Sequence, residues 1–527
     1  MKRYVSLIVI AVGALCSADD SGYPWRETGY IPVAAGTPEE TTLMYQVMFP
    51  NPEHWGPGPY PLVVDYSGYE PATTIFDGLD DRMLAAGYAV AGVNMRGTHG
   101  SGGSFDYFHP QQARDGADAI TWLAQRTWST RRVAMAGKSW PGISQLYVAA
   151  QQPEGLVAIV PGHVFSDLYR DVAFPGGIMN VTFDSYWSLA RVYEGYLTGP
   201  LYYSETNDEQ ALTNQLGHLP NILMNPVIRV LTHQYDDAFF HERSNWYFAD
   251  QIRVPTFLIQ AWQDEQVGSR AAEMIEQFDP SLTWRFAAAN GDHAEYYGPE
   301  IFPHILRFLS YYLKQEIPAG EQRLVTAPLI LPNGKPHPMK KITRPETYEE
   351  ALARFEVEDR VLINWENGAR GGRSANWTQT YAHWPPPNQV AWRLNLFPDG
   401  TLRDEAYPDP QTNLLTPLVP KQLGAVDYEY APLVGVQERG GYNIEEPVND
   451  TEAVPPGDWS DRPPQGTFAE FTSSPLAQDT VLLGPASADL YIASTAVDTD
   501  FEVTLSEVRP DGYETFVQQG WLRASHR

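Results

Sequence analysis

Three residues of the right types for acyl transfer, Ser139, Asp264 and His293, stand in that order along the chain, each just after a short apolar run. A serine hydroxyl alone is a weak nucleophile. It needs an imidazole to take its proton, a carboxylate to orient that imidazole, and donors to receive the oxyanion. The order Ser, Asp, His, each on a turn after a strand, is the order such a triad takes on an α/β-hydrolase sheet. In this reading Ser139 attacks, His293 serves as general base and then acid, and Asp264 orients His293. Taken singly, each is an ordinary surface or loop residue, and His293 is one of twelve histidines. The ordered set carries the argument.

Around Ser139 the run Val133 to Ala136 ends in Gly137-Lys138-Ser139-Trp140-Pro141-Gly142. Ile143, Leu146, Tyr147 and Ala150 then follow at helical spacing. Strand, sharp turn and helix with a serine at the apex form a nucleophile elbow, whose helix N-terminus favours developing negative charge. Gly137 and Gly142 suit the turn because a larger side chain would crowd it, and Pro141 fits a first helical turn. The second glycine falls three residues after the serine, one later than in G-x-S-x-G.

The elements that must hold these groups alternate between strand and helix. Strands are expected in residues 23–50, at Leu62–Val64, Tyr88–Asn94, Val133–Ala136 and Leu156–Val160, with a helix from about Gln111 to Gln125. Such alternation predicts a parallel sheet in an α/β fold, with functional groups at the carboxyl ends of the strands. Tyr66 and Ser139 both fall there. Residues 163–251 have no clear strand and many aromatics, which predicts a helical insertion over the site. Its Phe183 and Trp187, with Trp262 beyond it, are candidates to line an apolar acyl pocket. The sheet resumes over 252–318, with Pro255–Ala261 leading to Trp262-Gln263-Asp264 and Thr283–Ala288 leading to Asn290-Gly291-Asp292-His293. From 319 to 527 the Pro-rich, turn-punctuated pattern reads as an all-β domain.

At 527 residues the chain should divide into domains, and its net charge of −29, without Lys/Arg clusters, argues against nucleic-acid binding. Lys2 and Arg3 precede an apolar run from Val5 to Leu15 and small residues at Cys16 and Ala18, the proportions of a secretory signal over residues 1–18. The expected location is therefore periplasmic or extracellular. Lipid attachment at Cys16 is the weaker reading, since Leu15 stands where a small residue is expected. No later stretch is long and apolar enough to span a membrane. HExxH and paired cysteines are absent and the glycines of 97–103 fit neither a Rossmann nor a P-loop pattern, so no metal or cofactor is expected. The oligomeric state is open.

The chain resembles the superfamily of serine hydrolases that contains cocaine esterase, the X-Pro dipeptidyl-peptidases and the α-amino-acid ester hydrolases. The matching residues are the elbow G-x-S-aromatic-x-G at Gly137–Gly142, Arg96-Gly97 with its Gly-rich loop, Trp122-Leu123 and Trp128. Val254-Pro255 entering Trp262-Gln263-Asp264, Asp498-Thr499-Asp500-Phe501 and Pro510-Asp511-Gly512 match as well. The resemblance runs from about residue 35 to the end. It implies an α/β-hydrolase domain (19–162 and 252–318), a helical cap (163–251) and a jelly-roll-like β-domain (319–527). It also implies an oxyanion hole made by the Trp140 N–H and a tyrosine hydroxyl.

Tyr66 matches that tyrosine, although Asp65 replaces the family's preceding proline, and Tyr69 is the reserve. Asn94 stands where the family has an aspartate ahead of Arg96. Gln266 and Val267 stand where the amino-acid ester hydrolases carry ammonium-binding carboxylates, with Glu265 the one acid nearby. The chain stops at Trp521–Arg527, which in the family resembles a mid-domain strand, so the β-domain is shortened or the sequence is a fragment. The implied activity is hydrolysis of ester or X-Pro dipeptidyl amide bonds in a small ester or peptide. The alternative is a non-catalytic surface binding protein with an inert hydrolase fold.

Overall fold

The computed structural model describes residues 26–69, 79–181, 184–191, 207–218, 226–291, 293, 296, 298, 300–365, 375, 377–405, 425–429, 464–512 and 514–526. The expected signal segment, Cys16 and Phe183 lie outside the described residues.

Ten strands form one sheet. In chain order they are β1 (Arg26–Val33), β2 (Thr41–Met48), β3 (Tyr60–Ser67), β4 (Ala89–Asn94), β5 (Ser129–Lys138), β6 (Leu156–Gly162), β7 (Thr256–Ala261) and β8 (Trp284–Ala289), then β11 (Val361–Trp365) and β12 (Trp377–Tyr381). Their spatial order is β1-β2-β4-β3-β5-β6-β7-β8-β11-β12. From β4 through β11 all neighbours run parallel, while β1–β2, β2–β4 and β11–β12 are antiparallel. A parallel sheet needs both faces covered, so its strands carry near-continuous apolar runs. Alternate residues of β5 show this. Val133 and Met135 join one core cluster, with helices α3 (Pro110–Ala124) and α4 (Trp140–Ala150), whereas Ala134 and Ala136 join the other, with the helix Phe302–Leu309. This is the α/β-hydrolase fold.

Among the described residues between 163 and 251, every regular element is helical. The expected boundary at 319 needs correction. A hairpin of β9 (Leu324–Ile330) and β10 (Pro336–Pro345) stands apart, but β11 and β12 extend the main sheet. The helix Tyr348–Glu356 carries the chain back to β8. Thr347 and Glu350 close a capping box at its start, and Val361, Ile363, Asn364 and Trp365 of β11 are buried. Beyond it come a small sheet of β13 (Asn395–Leu396), β14 (Thr401–Arg403) and β15 (Thr472–Ser473), and a final hairpin of β16 (Asp500–Val508) and β17 (Glu514–Arg523). That hairpin reaches the loop after β7: Gln518 Nε2 donates to the Trp262 carbonyl at 2.7 Å and Gln263 Nε2 to the Val517 carbonyl at 3.2 Å. No helix among the described residues is long and apolar enough to cross a membrane.

Candidate active site

Ser139 sits between β5 and α4 with φ 61° and ψ −131°, in the left-handed half of backbone space. A non-glycine residue there costs of order 1–3 kcal/mol and persists only where neighbours hold it. The Ser139 N–H donates to the Gly162 carbonyl at 2.9 Å, and the Ser139 carbonyl accepts the Ile143 N–H at 2.7 Å. Gly142 is the residue that faces β6. A Cβ there would lie 2.4 Å from the Gly162 carbonyl oxygen and 3.0 Å from that of Gly137, so α4 packs this closely only with hydrogen at that position.

Asp264 and His293, on the loops after β7 and β8, come together: His293 Nδ1 lies 2.8 Å from Asp264 Oδ2. Asp264 Oδ1 accepts the backbone N–H groups of Gln266 and Val267, each at 2.9 Å. A second imidazole, which the sequence reading missed, shares the same carboxylate oxygen. His163, directly after β6, places Nδ1 3.2 Å from Oδ2. Both imidazoles and the carboxylate are buried. Burial alone would raise the Asp264 pKa, but His293 and His163 outweigh it and hold the carboxyl well below its usual range. Burial pushes His163 down despite Asp264, so this ring is neutral. For His293 burial also opposes charge, yet Asp264 and Glu265 prevail over it and over Lys138, and its pKa rises above the ordinary 6.5.

An ionised carboxylate only accepts hydrogen bonds, so both Nδ1 atoms carry hydrogen and His293 Nε2 offers its lone pair. That nitrogen is buried and has no hydrogen-bond partner among the described residues. Ligand-type atoms of the same three side chains lie within 4.8 Å of one another. Their Nδ1–Oδ2 separations are those of N–H donors on a carboxylate, the arrangement of a proton-transfer pair.

The tyrosine assignment is corrected. The β3 alternation that puts Leu62 and Val64 on the α3/α4 face puts Tyr66 there too. Its ring packs under α3, and its hydroxyl donates to the Gln112 carbonyl at 2.9 Å. Tyr69, past the end of β3, instead places its hydroxyl 3.2 Å from Ser139 Oγ and accepts the Trp187 Nε1–H at 3.1 Å. Asn94 Nδ2 donates to the Tyr69 carbonyl at 3.3 Å, so the residue that departs from the family pattern holds this turn. Arg96 pairs with Asp115 of α3 and with Glu39. From the Gly-rich loop, His99 Nε2 meets the Gly68 carbonyl at 3.0 Å. Burial pushes the His99 pKa down to about 4, which leaves Nε2–H as the donor.

Trp140 is 1% exposed, and its ring meets those of Tyr69, Trp187, Phe105 and Phe108 at centroid distances of 5.0–6.4 Å. Trp187 is thus brought to the site. Trp262 is not joined to this aromatic group by any described ring contact, since it packs on Phe286 and Trp384.

These placements separate the two tyrosines by experiment. Tyr69→Phe is expected to lower kcat by about 10²–10³-fold with little change in KM, as for loss of one oxyanion donor. Tyr66→Phe leaves kcat within a few-fold and costs about 1 kcal/mol of stability, by removing the buried hydrogen bond to the Gln112 carbonyl. Steady-state kinetics and denaturant melts of both variants check this, and a larger kcat loss for Tyr66→Phe would reverse the assignment.

The X-Pro dipeptidyl-peptidase (S15 family) model matches residues 39–295, and that of the X-Pro dipeptidyl-peptidase C-terminal non-catalytic domain matches residues 354–527. A Mycobacterium bovis protein provisionally named a serine esterase is 24% identical over 471 residues, 85% of this chain and 70% of its own. Cocaine esterase of Rhodococcus sp. is 22% identical over 475 residues, 84% of this chain and 73% of its own. Among solved structures, an α-amino-acid ester hydrolase shares the fold with TM-score 0.63 at 17% identity, over 96% of this chain and 83% of that one. A CocE/NonD family hydrolase of Staphylococcus aureus shares it with TM-score 0.53 at 19% identity, over 72% and 61%. The two family matches, with residues 296–353 between them, together cover most of the chain, and it belongs to the serine hydrolase superfamily that joins the X-Pro dipeptidyl-peptidases to cocaine esterase.

Proposed function

We propose that the protein hydrolyses esters of apolar acyl groups through an acyl-enzyme on Ser139. His293 Nε2 takes the Ser139 proton as Oγ attacks the carbonyl carbon. Tyr69 O–H and the Trp140 N–H receive the oxyanion, and His293 returns the proton to the leaving alcohol. Water repeats the sequence to release the acid. Trp187 supports this role for Tyr69: by donating to the phenol oxygen it leaves the phenol hydrogen for the substrate. The observations that carry the reading are the Tyr69 hydroxyl 3.2 Å from Ser139 Oγ and an Asp264–His293 pair at 2.8 Å.

Esters are favoured over X-Pro peptides by the state of the nearby acid. Glu265 Oε1 accepts the Gln266 Nε2–H at 3.0 Å and Oε2 accepts the His293 backbone N–H at 3.2 Å, so it is engaged in holding the loops. A peptidase of this kind needs a carboxylate for the substrate ammonium. Export, by the signal pattern of residues 1–18, is part of the same proposal.

The test is turnover of a short-acyl p-nitrophenyl ester and of Ala-Pro p-nitroanilide, with a fluorophosphonate probe for Ser139. Ester turnover with labelling supports the reading. Anilide turnover would make it a dipeptidyl-peptidase, and no turnover with no labelling would favour a binding protein. A pH profile follows from the electrostatics. His293 must be neutral to act as base and its pKa is raised, so kcat/KM should fall toward acid with a midpoint above 6.5. A midpoint below 6.5 would mean that burial, not Asp264, dominates His293.

A further inference from the structure

We propose that His163 is a positioning residue for the Asp264–His293 pair, its Nδ1–H fixing the carboxylate oxygen that orients His293 and limiting how tightly that oxygen holds a proton on His293. The inference deepens the proposed function and rests on it.

Asp264 has two oxygens and four donors. Oδ1 takes two backbone N–H groups, and Oδ2 takes the Nδ1–H groups of His293 and His163. With three donors independent of His293, the carboxylate stays in place when His293 becomes an imidazolium or tilts toward the leaving group. The donor is itself fixed. His163 is fully buried, its N–H donates to the Ile259 carbonyl at 2.9 Å, and its backbone adopts φ 51°. Ser139 has φ 61°, so two non-glycine residues at the ends of the neighbouring strands β5 and β6 occupy the left-handed region. Strain of this kind concentrates where geometry serves a site.

A neutral N–H on Oδ2 also draws charge from it, and so weakens its pull on the His293 proton. The other charged or titratable groups that bear on the pair among the described residues are Glu265, which raises His293, and Lys138 at the end of β5, which lowers both imidazoles. Tyr296 lies against the His163 ring, and its hydroxyl donates to the Val160 carbonyl at 2.8 Å. None of these substitutes for a donor on Oδ2.

The experiment compares His163→Phe with His163→Asn, whose Nδ2–H stands where Nδ1–H stood. Two readouts are used: the pH profile of ester kcat/KM, and the downfield proton resonance of His293 Nδ1–H titrated by NMR in the resting protein. His163→Phe should lower kcat about 3–10-fold and raise the His293 midpoint by about half a unit to one unit, in both readouts. His163→Asn should restore the midpoint to within about 0.2 units of wild type. An unchanged His293 resonance midpoint in His163→Phe overturns the proposal. So does a shift in His163→Asn equal to that in His163→Phe, because packing alone would then be the cause. If wild type showed no Ser139-dependent turnover, the hydrolase reading would fall, while the resonance titration would still decide the contribution of His163. Should His163→Phe not fold, the titration of wild type against His163→Asn and His163→Gln decides, with the Gln donor expected to miss Oδ2 and raise the midpoint.

Discussion

Ser139→Ala should lower ester turnover by about 10⁶-fold and abolish fluorophosphonate labelling, while leaving the melting temperature within a few degrees of wild type. The stability half of this expectation comes from the backbone. Ser139 occupies φ 61° through its main-chain bonds to Gly162 and Ile143, and alanine pays the same conformational cost in the same place. Removing Oγ takes one hydrogen-bond partner from the Tyr69 hydroxyl, whose oxygen still accepts the Trp187 indole N–H. The activity half comes from chemistry: without Oγ there is no acyl-enzyme, and only the oxyanion donors and binding remain. His293→Ala should fall nearly as far, and the double variant little further, because nucleophile and base act as one unit. Residual turnover above about one hundredth of wild type in Ser139→Ala would remove Ser139 from the nucleophile's role.

The pairing of Asp264 with His293 was legible because each follows an apolar run, and strand ends are where a parallel sheet gathers its functional groups. The tyrosine was misplaced for a reason of equal generality. Tyr66 lies inside β3, where the period-2 alternation dictates its face, and a residue two positions past Leu62 and Val64 must share their helix-covered side. Tyr69 lies beyond the strand, where the turn, Asn94 and His99 set its direction, and no periodicity describes that turn. His163 was within reach of the same rule that found Ser139, since it directly follows β6. Nothing in its type or spacing marks which buried histidine faces a carboxylate 101 positions away in the chain. The extension of the sheet by β11 and β12 was obscured by Pro-rich surroundings. Yet Thr347 and Glu350 carried a capping-box signature for the helix that connects them to β8.

Asp264→Asn should cost about 10⁴-fold in kcat with the fold intact, and here the arrangement of donors makes the reason specific. The side-chain amide has one acceptor and one donor end. Gln266 and Val267 present two backbone N–H groups at 2.9 Å to the Oδ1 position, and these require the carbonyl oxygen there. The NH₂ is then forced to the Oδ2 position, facing both His293 and His163. An NH₂ donates, so each imidazole must turn its Nδ1 lone pair toward it and carry hydrogen on Nε2 instead. His293 would then meet Ser139 with an N–H in place of a lone pair, unable to accept the proton. Flipping the amide escapes this only by setting its NH₂ against two backbone donors, which is costlier in a buried site. Asp264→Ala offers the contrast. It removes orientation without imposing the wrong tautomer, so its kcat loss should be no larger than that of Asp264→Asn despite the greater deletion. Steady-state kinetics of the two variants, with the His293 Nδ1–H resonance as a tautomer marker, checks the argument. A resonance that survives in Asp264→Asn, with kcat within about tenfold of wild type, would mean that another acceptor orients His293.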